Sequence, residues 1–219
     1  MEDNMAILMA DLSGYTALTE THGPASAADL IDKYLAMVEN SLVGDSRLHE
    51  RTGDEVMIVS TSPDALLATS KKIMKNAAGE ENFLLVHGGL HLGKVLKRNN
   101  SYFGSAINMT SRIAASAGAG TFLCSEEFVN ALSEKPVTGL RSTGKHFFKN
   151  ITEEKEIFEI ADKNDNAFFI DPVCKMLILE TQKAAKHPGS AGIYFCSQGC
   201  LAIYQERLAM TGACEHLTA

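Results

Sequence analysis

The stretch MAILMADLSGYTALTE, residues Met5–Glu20, decides how this chain is read. It opens on an apolar run, Met5–Ala10, of the kind expected for a buried strand. Asp11 ends the run, and the turn Ser13-Gly14-Tyr15-Thr16 follows. A carboxylate at the end of a buried strand, just before a helix N-terminus, sits where α/β sheets hold ligands, and the backbone N–H groups of Ser13–Thr16 would face an anion. The same aspartate equally suits a plain helix cap, so its meaning rests on the remainder of the chain.

Outward from this stretch, Ala28, Ile31, Leu35, Val38 and Leu42 recur at helical spacing, which predicts a helix over 25–41 packed on the first strand. GDEVMIVS (Gly53–Ser60) reads as a second strand, and a helix follows with Ser62 as its cap and Pro63 at its first position. Phe83–Leu96 reads as a third strand with a glycine-weakened middle. GSAINMTSRIAASA reads as a helix, GTFLCS as a strand, SEEFVNAL as a short helix, and GKHFFKN with EKEIFEIAD as a closing hairpin. Helices alternating with strands imply an α+β or α/β domain over residues 1–161. The polar stretch 162–168 reads as a linker, and residues 169–219 as a small module too short for a sizeable core of its own.

Composition narrows the function classes. The chain has 219 residues, 45% hydrophobic and 21% charged, with net charge -7. No basic stripe suggests a nucleic-acid groove. No apolar run approaches the roughly 20 residues that cross a bilayer, and the acidic start MEDNMAILM is unlike a secretory signal, so the expectation is a soluble cytoplasmic protein without a membrane span. Five cysteines with no such signal argue against a disulfide framework. Four of the five, Cys174, Cys196, Cys200 and Cys214, crowd the C-terminal segment.

Two further groups give Asp11 its context. Asp54 lies in HERTGDEVMIVS beside the second strand, so two carboxylates on neighbouring strand ends would share divalent cations. Asn108 and Arg112 are four apart and fall on one face of the predicted helix, where an amide and a guanidinium can orient a ribose and stabilise phosphoryl charge. Together, ADLSGYTAL, ERTGDEVMIVS, GLHLGKV, YFGSAINMTSRIA and GTFLCSEEFVNAL, in this order over residues 5–160, resemble the class III nucleotidyl cyclase catalytic domain. The resemblance implies a ferredoxin-like α+β fold with an antiparallel or mixed sheet and packed helices. It implies homodimerisation and conversion of a purine nucleoside triphosphate to the 3′,5′-cyclic monophosphate and pyrophosphate. By the same resemblance, Asp11 and Asp54 hold two Mg²⁺ or Mn²⁺ ions, with the Leu12 carbonyl as an extra ligand. Asn108 positions the ribose, Arg112 stabilises the transition state, and Lys149 takes the terminal phosphates. One protomer supplies the aspartates and the other the base-selecting residues, Asn108 and Arg112.

The base-selecting positions of that family fall on Glu50 and Ser101. An ionised glutamate only accepts hydrogen bonds, so it pairs with guanine N1–H and the 2-amino group and opposes the bare N1 of adenine. Ser101 can serve either purine. GTP is therefore favoured over ATP. A second resemblance, carried by DPVC and YFCSQGC with the spacing Cys-x21-Cys-x3-Cys, is to the YHS module, a relative of the TRASH metal-binding modules. It implies a soft-metal site for Zn²⁺ or Cu⁺ on Cys174, Cys196 and Cys200. Met176, His187, Cys214 and His216 are all candidates for a fourth ligand, and reduced core thiols are the competing reading. Two rival functions stay open: a cyclase-fold domain that binds nucleotide without turnover, and a metal or redox sensor that uses the larger domain to dimerise. His87, His91 and Cys124 read as structural.

Overall fold

The computed structural model describes residues 2–133, 139–161 and 168–215, with backbone alone over 211–215. In chain order the elements are β1 (Glu2–Leu12), α1 (Tyr15–Ser41), β2 (Arg47–Thr52), β3 (Glu55–Ser60), α2 (Pro63–Ala78), β4 (Val86–Arg98), β5 (Ser101–Phe103), α3 (Ser105–Ser116), β6 (Phe122–Ser125), α4 (Glu126–Asn130), β7 (Leu140–His146), β8 (Lys155–Ile160), β9 (Phe169–Ile170), β10 (Leu177–Ile178), β11 (Ala185–Lys186), β12 (Tyr194–Phe195) and α5 (Gln198–Glu215). No described helix is long and apolar enough to cross a membrane.

The described residues fall into two compact units. The first draws on Met1–Ser13, Lys33–Ala77 and Leu85–Asn164. Its sheet runs β2-β3-β1-β4-β6-β8-β7, with β5 paired to β4. β1 lies antiparallel between β3 and β4, while β4 and β6 are parallel, so the sheet is mixed. The apolar run Ala6–Ala10 is fully or nearly fully buried, as a central strand covered on both faces requires. Ser62 caps α2 by accepting from Ala65 N at 3.2 Å, and Ser125 caps α4 by accepting from Phe128 N at 3.3 Å.

β2 is a strand that apolar patterning does not announce. It is an edge strand with mostly exposed side chains, so RLHERT carries no buried stripe. Gly53, at φ +66°, and Asp54 form the turn between β2 and β3, and β3 therefore begins at Glu55 rather than Gly53. The glycines in the middle of β4 are not a weakness of the strand. A Cβ on Gly89 would lie 2.3 Å from the Ala114 backbone nitrogen, and one on Gly88 would lie 2.6 Å from the Met9 carbonyl oxygen. Gly89 lets the backbone of α3 settle directly onto β4, and Gly88 leaves room for the Met9 carbonyl and the Phe122 ring.

The second unit draws on Gly14–Asp32, Ala78–Leu84 and Asp165–Ala219. It is thus not confined to residues 169–219. Its strands are two residues long, and a stretch of about 50 residues buries too little by itself. Leu177 N donates to Phe83 O at 2.7 Å and Asn82 N to Leu177 O at 3.1 Å, while Glu81 accepts from Leu179 N at 2.6 Å. Val173, Cys174, Ala185, Phe195 and Cys200 form its small core. The expected linker, residues 162–168, lies outside the described residues apart from Phe168. Within α1, Gly23 (φ +82°) and Pro24 break the helical hydrogen bonding and kink the element.

Candidate active site

In the first unit, the β1–β3 register (Ala10 opposite Val56) carries Asp11 to the turn that holds Asp54. The two carboxyl groups are hydrogen-bonded to each other. Burial, reinforced by that bond and by the charge of Asp11, pushes Asp54 up to about 6. Two carboxyls this close are a donor set that fits a divalent cation, whose charge offsets their mutual repulsion. Leu12 N donates to Asp11 Oδ1 at 3.0 Å. His87, opposite Asp11 in the β1–β4 register, stands 2.9 Å from Ser13 Oγ through Nδ1. Burial lowers the pKa of His87 against the opposing pull of Asp54. Glu55 is raised, by burial first and then by the charges of Asp54 and Glu50.

The expected phosphate turn needs one correction. Ser13 N donates to Leu85 O at 2.8 Å, so it belongs to the backbone ladder and is not offered to an anion. Gly14 precedes α1 and Tyr15 and Thr16 open it; these three residues belong to the second unit. Gly14 adopts φ +97°, which a side chain tolerates poorly.

Glu50, His49, Thr52, Glu55, Met9, Met57, Tyr102 and Ile107 line a cavity of about 200 Å³. Tyr102 is held there by Arg47, which donates to its hydroxyl, and by the His49 ring at 4.6 Å between centroids. The cavity thus joins Glu50 to the residues flanking Ser101 and Asn108. His49, Glu55 and Tyr102 were not expected here; His49 and Tyr102 come from an edge strand and a three-residue strand, whose patterns are too short to read, and Glu55 opens β3. Asn108 is exposed and Arg112 half-buried on α3, whose opposite face buries Ala106, Met109, Ile113 and Ala114. Arg112 and Lys149 make no hydrogen bond or ion pair among the described residues. Lys149 is exposed, in the turn between β7 and β8. His91 is buried with Nδ1 2.7 Å from Ser125 Oγ, in keeping with a structural role.

The second unit gathers three of its cysteines. Cys196 Sγ lies 3.5 Å from Cys174 Sγ and 3.5 Å from Cys200 Sγ. The fourth member is a residue that spacing did not indicate: His22 Nε2 is 3.6 Å from both Cys196 Sγ and Cys200 Sγ. His187 is engaged elsewhere, accepting from Gly189 N at 3.1 Å and meeting the Tyr204 ring edge-on. Met176 packs against the small core. The Cys214 side chain and His216 lie outside the described residues. A hydrogen bond with Cys174 lowers Cys196 to about 6 while raising Cys174, and burial raises Cys200 to about 12. Cys124, in β6, is buried apart from this group.

No family model matches the chain. An uncharacterized protein of Mycobacterium tuberculosis is 35% identical over 128 residues, which are 58% of this chain and 34% of that protein. A protein of Glutamicibacter nicotianae named adenylate cyclase is 30% identical over 128 residues, 58% of this chain and 32% of its own length. The chain thus spans about a third of the curated relatives it matches. Among solved structures, an adenylate cyclase of Trypanosoma brucei in its monomeric state superimposes with TM-score 0.67 at 17% identity, covering 81% of this chain and 94% of that one. The fold is that of a nucleotidyl cyclase catalytic domain. On this cyclase fold, Asp11 meets Asp54, and Glu50 shares a cavity with the entry to α3; the thiol cluster is a feature of the second unit.

Proposed function

We propose that the chain is a nucleotidyl cyclase, converting a purine nucleoside triphosphate to its 3′,5′-cyclic monophosphate and pyrophosphate. The observation that carries this reading is the hydrogen-bonded pair Asp11–Asp54 at adjoining strand ends of a cyclase fold. Asp11 and Asp54, with the Leu12 carbonyl, would hold two Mg²⁺ or Mn²⁺ ions, which when bound neutralise the triphosphate and acidify the ribose 3′-hydroxyl. The 3′-hydroxyl gives up its proton to solvent as its oxygen bonds to the α-phosphorus, the bond from that phosphorus to the oxygen bridging to the β-phosphate breaks, and pyrophosphate departs with the electron pair. Asn108 holds the ribose so that the 3′-oxygen faces the α-phosphorus. Arg112 donates to the phosphoryl oxygens as charge builds on them. Lys149 binds the terminal phosphates, and the segment 169–219 is a metal- or thiol-responsive appendix of YHS type.

GTP is the favoured substrate, because the Glu50 carboxylate accepts from both N1–H and the 2-amino group of guanine, with Ser101 at the other edge. Incubation with Mn²⁺ and GTP should give cyclic GMP, and the Asp54→Ala variant should give none. Glu50→Lys should shift the GTP-to-ATP preference at least about tenfold toward ATP; an unchanged ratio would mean that Glu50 does not touch the base.

The working form is a homodimer, each site taking its aspartates from one protomer and Glu50, Ser101, Asn108 and Arg112 from the other. The outward-facing Asn108 and the exposed apolar Phe103 and Leu96 nearby support this. Asp54→Ala and Arg112→Ala proteins, each inactive alone, should regain up to about a quarter of wild-type activity when mixed, because half the dimers are then mixed and each holds one complete site. A mixture as inactive as its components would rule out the shared site.

A further inference from the structure

We infer that His22, Cys174, Cys196 and Cys200 form a closed Zn²⁺ site, with His22 as the fourth ligand. Four ligand atoms, one imidazole nitrogen and three sulfurs, lie within 4.8 Å of one another. A tetrahedral ion with Zn–S of about 2.3 Å and Zn–N of about 2.0–2.1 Å sets its ligand atoms about 3.8 Å apart for S···S and about 3.6 Å for N···S. Four of the six pairs are at 3.5–3.6 Å: Cys196 Sγ is 3.5 Å from Cys174 Sγ and from Cys200 Sγ, and His22 Nε2 is 3.6 Å from Cys196 Sγ and from Cys200 Sγ, while the two remaining pairs lie within 4.8 Å. The sulfurs need to part by only a few tenths of an ångström to accept the ion.

Each ligand is placed by a local feature of the backbone. His22 is the last residue before the Gly23–Pro24 break in α1, so its ring leaves the helix where the regular backbone stops. Cys174 sits in the tight DPVCKM turn, closed by Lys175 N donating to Asp171 O at 2.9 Å, with Lys175 itself at φ +68°. Cys196 precedes α5, and Cys200 lies in its first turn, where Ser197 Oγ accepts from Cys200 N at 3.2 Å.

Behind the ligands lies Asp171, fully buried. Its Oδ1 accepts from Val173 N at 2.8 Å and Cys174 N at 3.3 Å, and its Oδ2 accepts from Cys196 N at 2.8 Å. One carboxylate therefore fixes the backbones of two different cysteines, the role that outer partners play around metal ligands. Cys196 and His22 are only half-buried, which leaves a way in for the ion. Four ligands leave no open position for substrate or water, so the site is structural or sensory rather than catalytic.

The test uses the full chain, purified without oxygen, and does not depend on nucleotide turnover. Wild-type protein should carry one zinc per chain. Co²⁺ substituted into it should show thiolate-to-metal charge transfer in the near ultraviolet and the intense visible bands of a tetrahedral ion. His22→Ala should lower Zn²⁺ affinity more than tenfold and weaken the tetrahedral bands, whereas His22→Cys should restore them as a four-thiolate site. Protein that holds no metal and titrates as free thiols would overturn the inference. So would a His22→Ala variant whose metal content, affinity and spectrum match wild type, which is the result expected if three thiolates alone took Cu⁺.

Discussion

Asp54→Asn should lower cyclisation at least about 10³-fold and at the same time stabilise the protein in the absence of added Mg²⁺ or Mn²⁺. The activity loss follows because a neutral amide cannot replace one of two carboxylates around divalent ions, and such ions supply several kcal/mol of transition-state stabilisation. The stability gain follows from the raised carboxyl. Asp54 titrates near 6 in the folded chain against an ordinary value of 3.8. The folded state therefore binds the extra proton between these values. The associated stability is complete below about 3.8 and is lost as the pH rises through about 6. At pH 7.5 the ionised pair strains the fold, and asparagine removes that strain. Discounted for partial exposure to solvent, the relief is about 1–2 kcal/mol, or a few degrees of melting temperature. Melting curves of wild type and variant should diverge at pH 7.5 and converge near pH 4. Equal melting at both values would mean that the two carboxyls do not repel each other. By the same proton competition, Mn²⁺ affinity of the wild type should fall about tenfold per pH unit below 6.

Gly89→Ala should cost about 3 kcal/mol or more and take activity with it. Its Cβ would meet the backbone of α3, with Ala114 N at 2.3 Å, Ala114 Cα at 2.9 Å and the Ile113 carbonyl carbon at 2.9 Å. No side-chain rotation relieves a clash with helix backbone, so α3 must move off β4 as a body. The helix carries Asn108 and Arg112, and displacement by an ångström is enough to misplace them for the roles proposed above. Gly118→Ala is the matched control: its nearest neighbour, Thr121 Oγ1, is 3.8 Å away, and the change should stay within about 0.5 kcal/mol. Chemical denaturation of the two variants side by side reads the difference directly, and equal midpoints would show that α3 can slide without loss.

The residues of the sheet centre were legible because strand burial and ligand position leave the same mark: an apolar run that ends on Asp11. The shared face of Asn108 and Arg112 was legible from helical spacing, and α3 places both away from its buried side. The edge was not. β2 has no buried stripe, so its lining residue His49 carries no pattern, and Glu55 reads as an ordinary strand charge. The Ser13 amide misled because an N–H near a turn reads as available until the strand beside it is known; Leu85 takes it. His22 was beyond reach for a plainer reason. It lies 174 residues from Cys196, in a helix whose local sequence THGP speaks only of a break. Spacing rules find ligands that share a loop or a helix, and a ligand borrowed from a distant segment leaves no such trace.

The buried carboxylate of Asp171 bears on timing as well as on geometry. Small metal domains often fold only when the ion arrives, so that loading and folding are one slow event. Here the two cysteine-bearing turns are already tied to each other through one side chain, and the ion has little chain left to organise. Loading then becomes a matter of exchange between the protein and its surroundings, reversible while the polypeptide stays folded. Such an arrangement can follow a changing ion supply instead of recording it once at synthesis.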